Sequence, residues 1–242
     1  MTAAGGAIEA VCLDAAGTLF RPREAVGAIY ARYAVAHGLS AFPGLAATLE
    51  ARFRAGFAAM PAPAYRPGAP AHNAAVDRAW WGQLVRRVMA DLGPLEFDAF
   101  FDAVYAAFAD PALWCTYPET LAVLTRLQTA GVPTAIVSNF DARLLPICRG
   151  LGLESRVGAI VYSAGVGVAK PDPAIFRHAL ERLGAVADAT LHVGDSFRED
   201  VQGAQAAGLH ALHLQRAGAD AGLAADSGII HDLAGLQRFV LR

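Results

Sequence analysis

Six polar residues stand where their types and spacing could do chemistry together: Asp14, Ser138, Asn139, Lys170, Asp195 and Asp200. Asp14 closes the apolar run VCLD, Ser138 and Asn139 close AIVSN, and Asp195 closes LHVGD, with Asp200 five residues further on. If those runs are neighbouring parallel strands, the polar groups converge at the carboxyl edge of one sheet, the usual ligand edge of open α/β sheets. Three carboxylates brought together there raise one another's pKa and need a cation. A donor set of oxygens without imidazole or thiolate suits a hard divalent ion, and magnesium fits best because it keeps waters and binds through one or two carboxylates plus a substrate phosphate. Lys170 is the second cation. It is the chain's single lysine among 20 basic residues, and Pro171-Asp172-Pro173 after it forms a rigid start to the next helix. A compact ammonium there would neutralise a transferring phosphoryl group.

Five short apolar runs read as the strands that position these groups: 8–13, 134–137, 159–162, 190–193 and 210–214. Helical periodicity over 121–128, 144–151 and 174–183 alternates with the last four, the third helix beginning at Asp172-Pro173 and stopping at Gly184. Strand and helix in alternation predict an α/β fold, a doubly wound parallel sheet. More than a hundred residues part the first strand from the second, too many for a crossover. An all-helical inserted domain is therefore expected over about 21–111, with helices over 24–37, 45–60, 74–92 and 97–108; residues 1–20 and 112–242 form the Rossmann-like core. The proline-rich stretch 61–73 reads as a loop.

At 242 residues, 55% hydrophobic and 17% charged, the chain is globular rather than disordered. A net charge of −2 gives no electrostatic reason for nucleic acid or an anionic membrane as partner. Three widely spaced cysteines suggest neither a disulfide framework nor zinc. The opening residues lack the pattern of a secretory leader, and no long uncharged apolar stretch follows, so a cytoplasmic protein is expected. Nothing in the pattern points to an oligomeric state.

The segments DAAGTLF (14–20), VSN (137–139), KPDP (170–173) and GDSFRED (194–200) resemble, in order, the four motifs of the haloacid dehalogenase-like hydrolases. The resemblance spans nearly the whole chain and implies that Asp14 is the nucleophile, forming an aspartyl-phosphate. Ser138 would hold a phosphoryl oxygen and Lys170 would stabilise Asp14 and the intermediate. Magnesium would be bound by Asp14, Asp195 and the main-chain oxygen of Ala16, with Asp200 a direct or outer ligand. The insert would be the helical cap many members place between the first two motifs. The substrate implied is a small phosphorylated metabolite.

One departure bears on function. Phosphatases of this superfamily carry a second aspartate two residues after the nucleophile as general acid and base; here that position is Ala16. Its loss costs roughly a hundred- to ten-thousand-fold in rate, which predicts a slow phosphatase. Phosphonoacetaldehyde hydrolases resemble the chain at this position but need a cap lysine, and the insert has none. A 2-haloacid dehalogenase, or a non-catalytic protein that keeps the fold to bind a ligand, are the other readings. Within the superfamily the chain most resembles the domain-containing three group, which also tends to lack the second aspartate.

Other residues take structural roles on the sequence alone. Asp141 and Asp172 are expected as helix caps rather than acids. His192 and His213 are expected in the interior of strands, and Trp80 and Trp81 in the insert's own core. Tyr65 and Arg66, in the proline-rich loop, are the expected substrate-contacting residues of the insert.

Overall fold

The computed structural model describes residues 7–216 and 228–240; the first six residues of the opening segment lie outside them. Six parallel strands form one sheet: β1 (Ala10–Leu13), β4 (Thr134–Ser138), β5 (Ala159–Tyr162), β6 (Thr190–Gly194), β7 (His210–Leu214) and β8 (Ile229–Ile230), in the order β5-β4-β1-β6-β7-β8. β1 is central, with Leu13 in register with Ile136 on one side and Val193 on the other. All four residues of β1 are buried, as required of a strand covered on both faces. Val11, Leu13, Ile136 and Val193 pack with helix α5 (Thr120–Thr129) and helix α6 (Leu144–Gly150) on one face. Cys12, Ala135 and Val161 meet Ile175 and Phe176 of α8 (Pro173–Leu183), which follows the short α7 (Ser163–Val166), on the other. Asp172 caps α8 by accepting the Ala174 N–H at 2.8 Å, as expected.

Between β1 and α5 lie α1 (Val26–Ala36), α2 (Leu45–Ala59), α3 (Pro70–Met89) and α4 (Phe97–Ala107). Their buried residues, among them Ile29, Tyr30, Leu49, Leu84 and Phe100, form a hydrophobic cluster of their own. Gly27 lets α1 and α2 touch: a Cβ there would lie 2.2 Å from the Ala46 carbonyl, and its N–H donates to Glu50 Oε2 at 2.8 Å. α3 begins at Pro70, four residues before the periodicity placed it. Proline suits the first turn, whose missing N–H costs nothing, so composition misread a helix start as loop.

The insert leaves and rejoins the sheet through a short antiparallel ribbon, β2 (Phe20–Pro22) with β3 (Trp114–Thr116). Three-residue strands are too short for alternation to reveal, and β8 escaped notice for the same reason. Phe108 and Leu113 pack against both the insert's cluster and that of the sheet, so the seam is apolar.

Candidate active site

Asp14 follows β1 and is held by its N–H, which donates to the Val193 carbonyl at 2.9 Å. Beside it Ser138 ends β4, and Gly194 ends β6 just before Asp195. Lys170 comes from the turn before α8, and its ammonium donates to Asp14 Oδ1 and Asp200 Oδ1, each at 2.6 Å. Asp14, Lys170 and Asp200 are all buried, whereas Asp195 is the most open of the four, with its carboxylate still drawn partly out of water. One carboxylate oxygen from each of Asp14, Asp195 and Asp200 lies within 4.8 Å of the others.

Asn139 turns out to position Lys170. Its Oδ1 accepts the Lys170 N–H at 2.7 Å and its Nδ2 donates to the Lys170 carbonyl at 2.9 Å, fixing the backbone from which the ammonium projects. The same amide reaches Glu199 Oε2 at 3.0 Å, a carboxylate the sequence reading had passed over. Asp200 sits in a segment of π-helix (Phe197–Gln202) that leads into α9 (Gly203–Ala206). Its Oδ1 accepts from Lys170 and from His192 Nε2 at 2.9 Å, and its Oδ2 accepts the Ser196 N–H at 2.9 Å. His192 is thus interior and satisfied on that side. His213 is not interior: it is half-exposed, with its Nε2 against the Asp195 carbonyl at 3.0 Å, because β7 lies next to the short β8 near the sheet's edge.

Two glycines make room for the carboxylates. Gly17, at φ +92°, would put a Cβ 2.3 Å from Asp195 Oδ2, and Gly194 would put one 2.1 Å from Asp200 Cγ. Arg216 secures the loop after Asp14, donating to the Gly17 and Thr18 carbonyls at 3.1 and 2.6 Å while pairing with Glu119. Ala16 lines the cavity and offers no titratable side chain there.

The charges are strongly coupled. Burial alone would favour a neutral Lys170, but Asp14 and Asp200 outweigh it and hold its pKa above the usual range. Burial likewise opposes ionisation of Asp200, yet Lys170 and His192 hold its pKa below the ordinary value. Asp14 is raised, chiefly by burial, with Lys170 pulling the other way. Asp195 has no such partner: burial of its carboxylate, followed by the neighbouring Asp14 and Asp200, pushes it up to about 7. Three carboxylate oxygens this close together need a cation, and the all-oxygen donor set suits magnesium.

These groups form one end of a cavity of about 750 Å³ whose other walls come from the insert. Tyr65 lines it, donating its hydroxyl to Asp77 Oδ1 at 2.5 Å. Arg66 does not line it. The Arg66 side chain is exposed, and what the residue contributes is backbone: its N–H and carbonyl bond the Asn73 side chain at 2.8 and 3.0 Å, and its carbonyl lies so near Gly167 that a Cβ there would come within 2.4 Å. Trp80 and Trp81 pack against the insert's own cluster, as expected, and also reach the cavity. Leu84, Val85 and Val88 are buried in the insert, while the two tryptophans are half-buried and line the cavity.

Asp141 serves its own loop. Its Oδ1 accepts the Arg143 N–H at 2.9 Å, and both its oxygens take the Arg143 guanidinium. Arg143 in turn lies 3.9 Å from the centre of the Tyr105 ring and 5.1 Å from that of Trp81, tying the loop after β4 to the insert. Asn73 makes a second tie, donating to the Ala164 carbonyl at 2.9 Å.

Comparison with known proteins gives a consistent result. Residues 8–208 match the family described as haloacid dehalogenase-like hydrolase. A protein of Danio rerio called haloacid dehalogenase-like hydrolase domain-containing protein 3 is 34% identical over 209 residues, covering 85% of this chain and 84% of its own. A phosphoglycolate phosphatase of Pectobacterium atrosepticum is 39% identical over 117 residues, 47% of this chain and 48% of its own. The fold matches an L-2-haloacid dehalogenase of Xanthobacter autotrophicus with a TM-score of 0.70 at 21% identity, over 96% of this chain and 97% of that one.

Proposed function

Because the chain belongs to the haloacid dehalogenase-like hydrolases, we propose that it is a slow, magnesium-dependent phosphatase that hydrolyses a small phosphorylated metabolite through an aspartyl-phosphate at Asp14. The observation that carries this reading is the Lys170 ammonium, buried and 2.6 Å from both Asp14 and Asp200, at the base of a cavity large enough for a metabolite. Asp14 and Asp195, with the main-chain oxygen of Ala16, are the groups that would hold magnesium. Asp200 completes the oxygen cluster, although its own oxygens already serve Lys170, His192 and Ser196. The ion supplies charge neutralisation at the phosphoryl group.

Asp14 attacks phosphorus with the oxygen nearer the substrate while Lys170 spreads the growing charge. Ser138, at the end of β4 and in the cavity wall, is placed to donate to a phosphoryl oxygen. Asn139 keeps Lys170 in position. The helical insert acts as the cap, closing the site from water. With no carboxyl at position 16, the leaving group departs without a proton from the protein and water attacks the intermediate unassisted. The three cysteines are unpaired in the fold, which agrees with a reducing, cytoplasmic setting. No helix among the described residues is long and apolar enough to cross a membrane.

Ala16 also favours a second reading, a protein that binds a phosphorylated ligand without turning it over. The test is steady-state hydrolysis of a matched aryl and alkyl phosphate, with and without magnesium, by the natural protein and by Ala16→Asp, with mass spectrometry of the quenched protein. The expected result is magnesium-dependent labelling of Asp14 and a gain in the variant, about tenfold or more, that favours the alkyl ester. No labelling and no gain in a folded variant supports the binding reading. Release of chloride from 2-chloropropionate would instead make the protein a dehalogenase.

A further inference from the structure

The cavity above Asp14 differs sharply at its two ends. The sheet end is ionic, carrying Asp14, Lys170, Asp195 and Asp200, while the insert end is walled by rings, among them Tyr30, Phe53, Phe57, Trp80, Trp81 and Tyr105. The charged side chains on the insert side are largely taken, Asp77 Oδ1 by Tyr65 and Asp141 by Arg143, with Asp77 Oδ2 left free. A polyhydroxylated leaving group would exchange water chiefly for aromatic faces there and leave most of its hydroxyls unpaired, at about 1–3 kcal/mol each. A flat, largely apolar group would instead bury its surface at no such cost. The chemistry at Ala16 points independently in the same direction, because with no proton donor the leaving oxygen must be stable as an anion. Phenolic oxygens, like that of tyrosine, ionise near pH ~10, far more readily than alkanols.

Resting on the phosphatase reading, we propose that the substrate class is a small-molecule aryl phosphate, a phosphate monoester of a phenol whose ring lies against the aromatic wall that includes Trp81. In the first step an Asp14 oxygen bonds to phosphorus as the phosphorus–oxygen bond to the aryl group breaks. The bonding pair leaves on the phenolic oxygen, which takes its proton from water. Water then adds to the aspartyl-phosphate, returning the Asp14 carboxylate and giving inorganic phosphate, with a proton released that offsets the one consumed. Ring and leaving-group chemistry are thus read by two separate parts of the cavity, the insert walls and the acid-free position 16.

The experiment compares 2-naphthyl, phenyl and cyclohexyl phosphate and glycerol 3-phosphate as substrates for the full chain with magnesium, and uses acetyl phosphate as a small donor that needs no aromatic wall. Phenyl phosphate should exceed cyclohexyl phosphate in kcat/KM by about a hundredfold, reporting the leaving group. Naphthyl phosphate should exceed phenyl phosphate by about tenfold, mainly through KM, reporting the walls. Trp81→Ala should shrink that naphthyl-to-phenyl ratio toward one. Quenching of tryptophan fluorescence by 2-naphthyl phosphate, strong in the natural protein and weakened in the variant, reads binding apart from turnover. Labelling of Asp14 by acetyl phosphate with no preference for naphthyl over phenyl, or with glycerol 3-phosphate the best ester, would sink the aryl proposal and leave the phosphatase standing. No labelling by any donor, acetyl phosphate included, would bring down both.

Discussion

Two sets of buried carboxylates line the same cavity and solve one problem in opposite ways. At the sheet end Asp14 and Asp200 share a single ammonium, and Asp200 is held ionised below its ordinary pKa. At the insert end Asp77 is as deeply buried but has only the Tyr65 hydroxyl for company; its Oδ2 has no partner, and burial pushes its pKa up to about 6. A carboxylate out of water must find a cation or accept a proton. The sheet end uses a lysine and gains a fixed nucleophile, while the insert end leaves Asp77 without a cation, so that it gives up its proton only at about pH 6.

The comparison breaks most visibly if the shared cation is removed. Lys170→Met should strand Asp14 and Asp200 in contact and destabilise the fold by ~3–5 kcal/mol at pH 7, measured by urea denaturation. Much of that loss should return at low pH, where the carboxylates protonate. Lys170→Arg should restore part of the stability and none of the Asp14 labelling, since a planar guanidinium cannot occupy the place of a point ammonium. An unchanged denaturation midpoint for Lys170→Met would mean that the two acids do not depend on it.

The insert end should respond with the other sign. The folded pKa of Asp77 lies above its unfolded value, so the folded state holds the extra proton and Asp77 costs stability as pH rises from about 4 to about 6. Asp77→Asn keeps the Tyr65 partner and removes the titration. The variant should therefore gain on the natural protein across that window, by at most ~3 kcal/mol at pH 7. Thermal melts at pH 4 and pH 7 check it, and a variant that loses ground between them refutes it.

The smallest effect concerns how the two ends are joined. Asn73→Ala removes the buried bond to the Ala164 carbonyl and both bonds to the Arg66 backbone, and should cost ~1–3 kcal/mol. Hydrogen exchange should rise in 61–73 and leave β1, β4 and β6 protected. A uniform rise would show that insert and sheet unfold as one.

The sheet end was legible because parallel strands bring their carboxyl ends together whatever their separation in sequence, so Asp14, Ser138 and Asp195 could be assembled from three short runs. Glu199 and the positioning role of Asn139 were hidden, since they depend on which way a turn faces. The insert end was legible only as helices. Periodicity marks which residues are apolar but not whether an apolar ring that packs on its own helices also faces a cavity, which is why Trp80 and Trp81 read as insert core without their cavity face. Tyr65 and Arg66 are neighbours in one loop, yet one side chain lines the cavity and the other faces solvent. Such a division follows from the local turn and the close approach at Gly167, and neither leaves a trace in composition. Gly194 did carry a usable signal, a glycine directly before an acidic turn, where a Cβ would strike Asp200.

Lys170 is the chain's one lysine, and its side chain is sealed behind two carboxylates. Apart from any terminal amine, the protein therefore presents a single primary amine, and it is the one that touches the nucleophile. Isotope-labelled lysine would give one side-chain resonance whose shift reports the state of Asp14 directly, with no assignment needed. Amine-directed acylation would leave the surface untouched and read out, as a rate, how often the cavity opens.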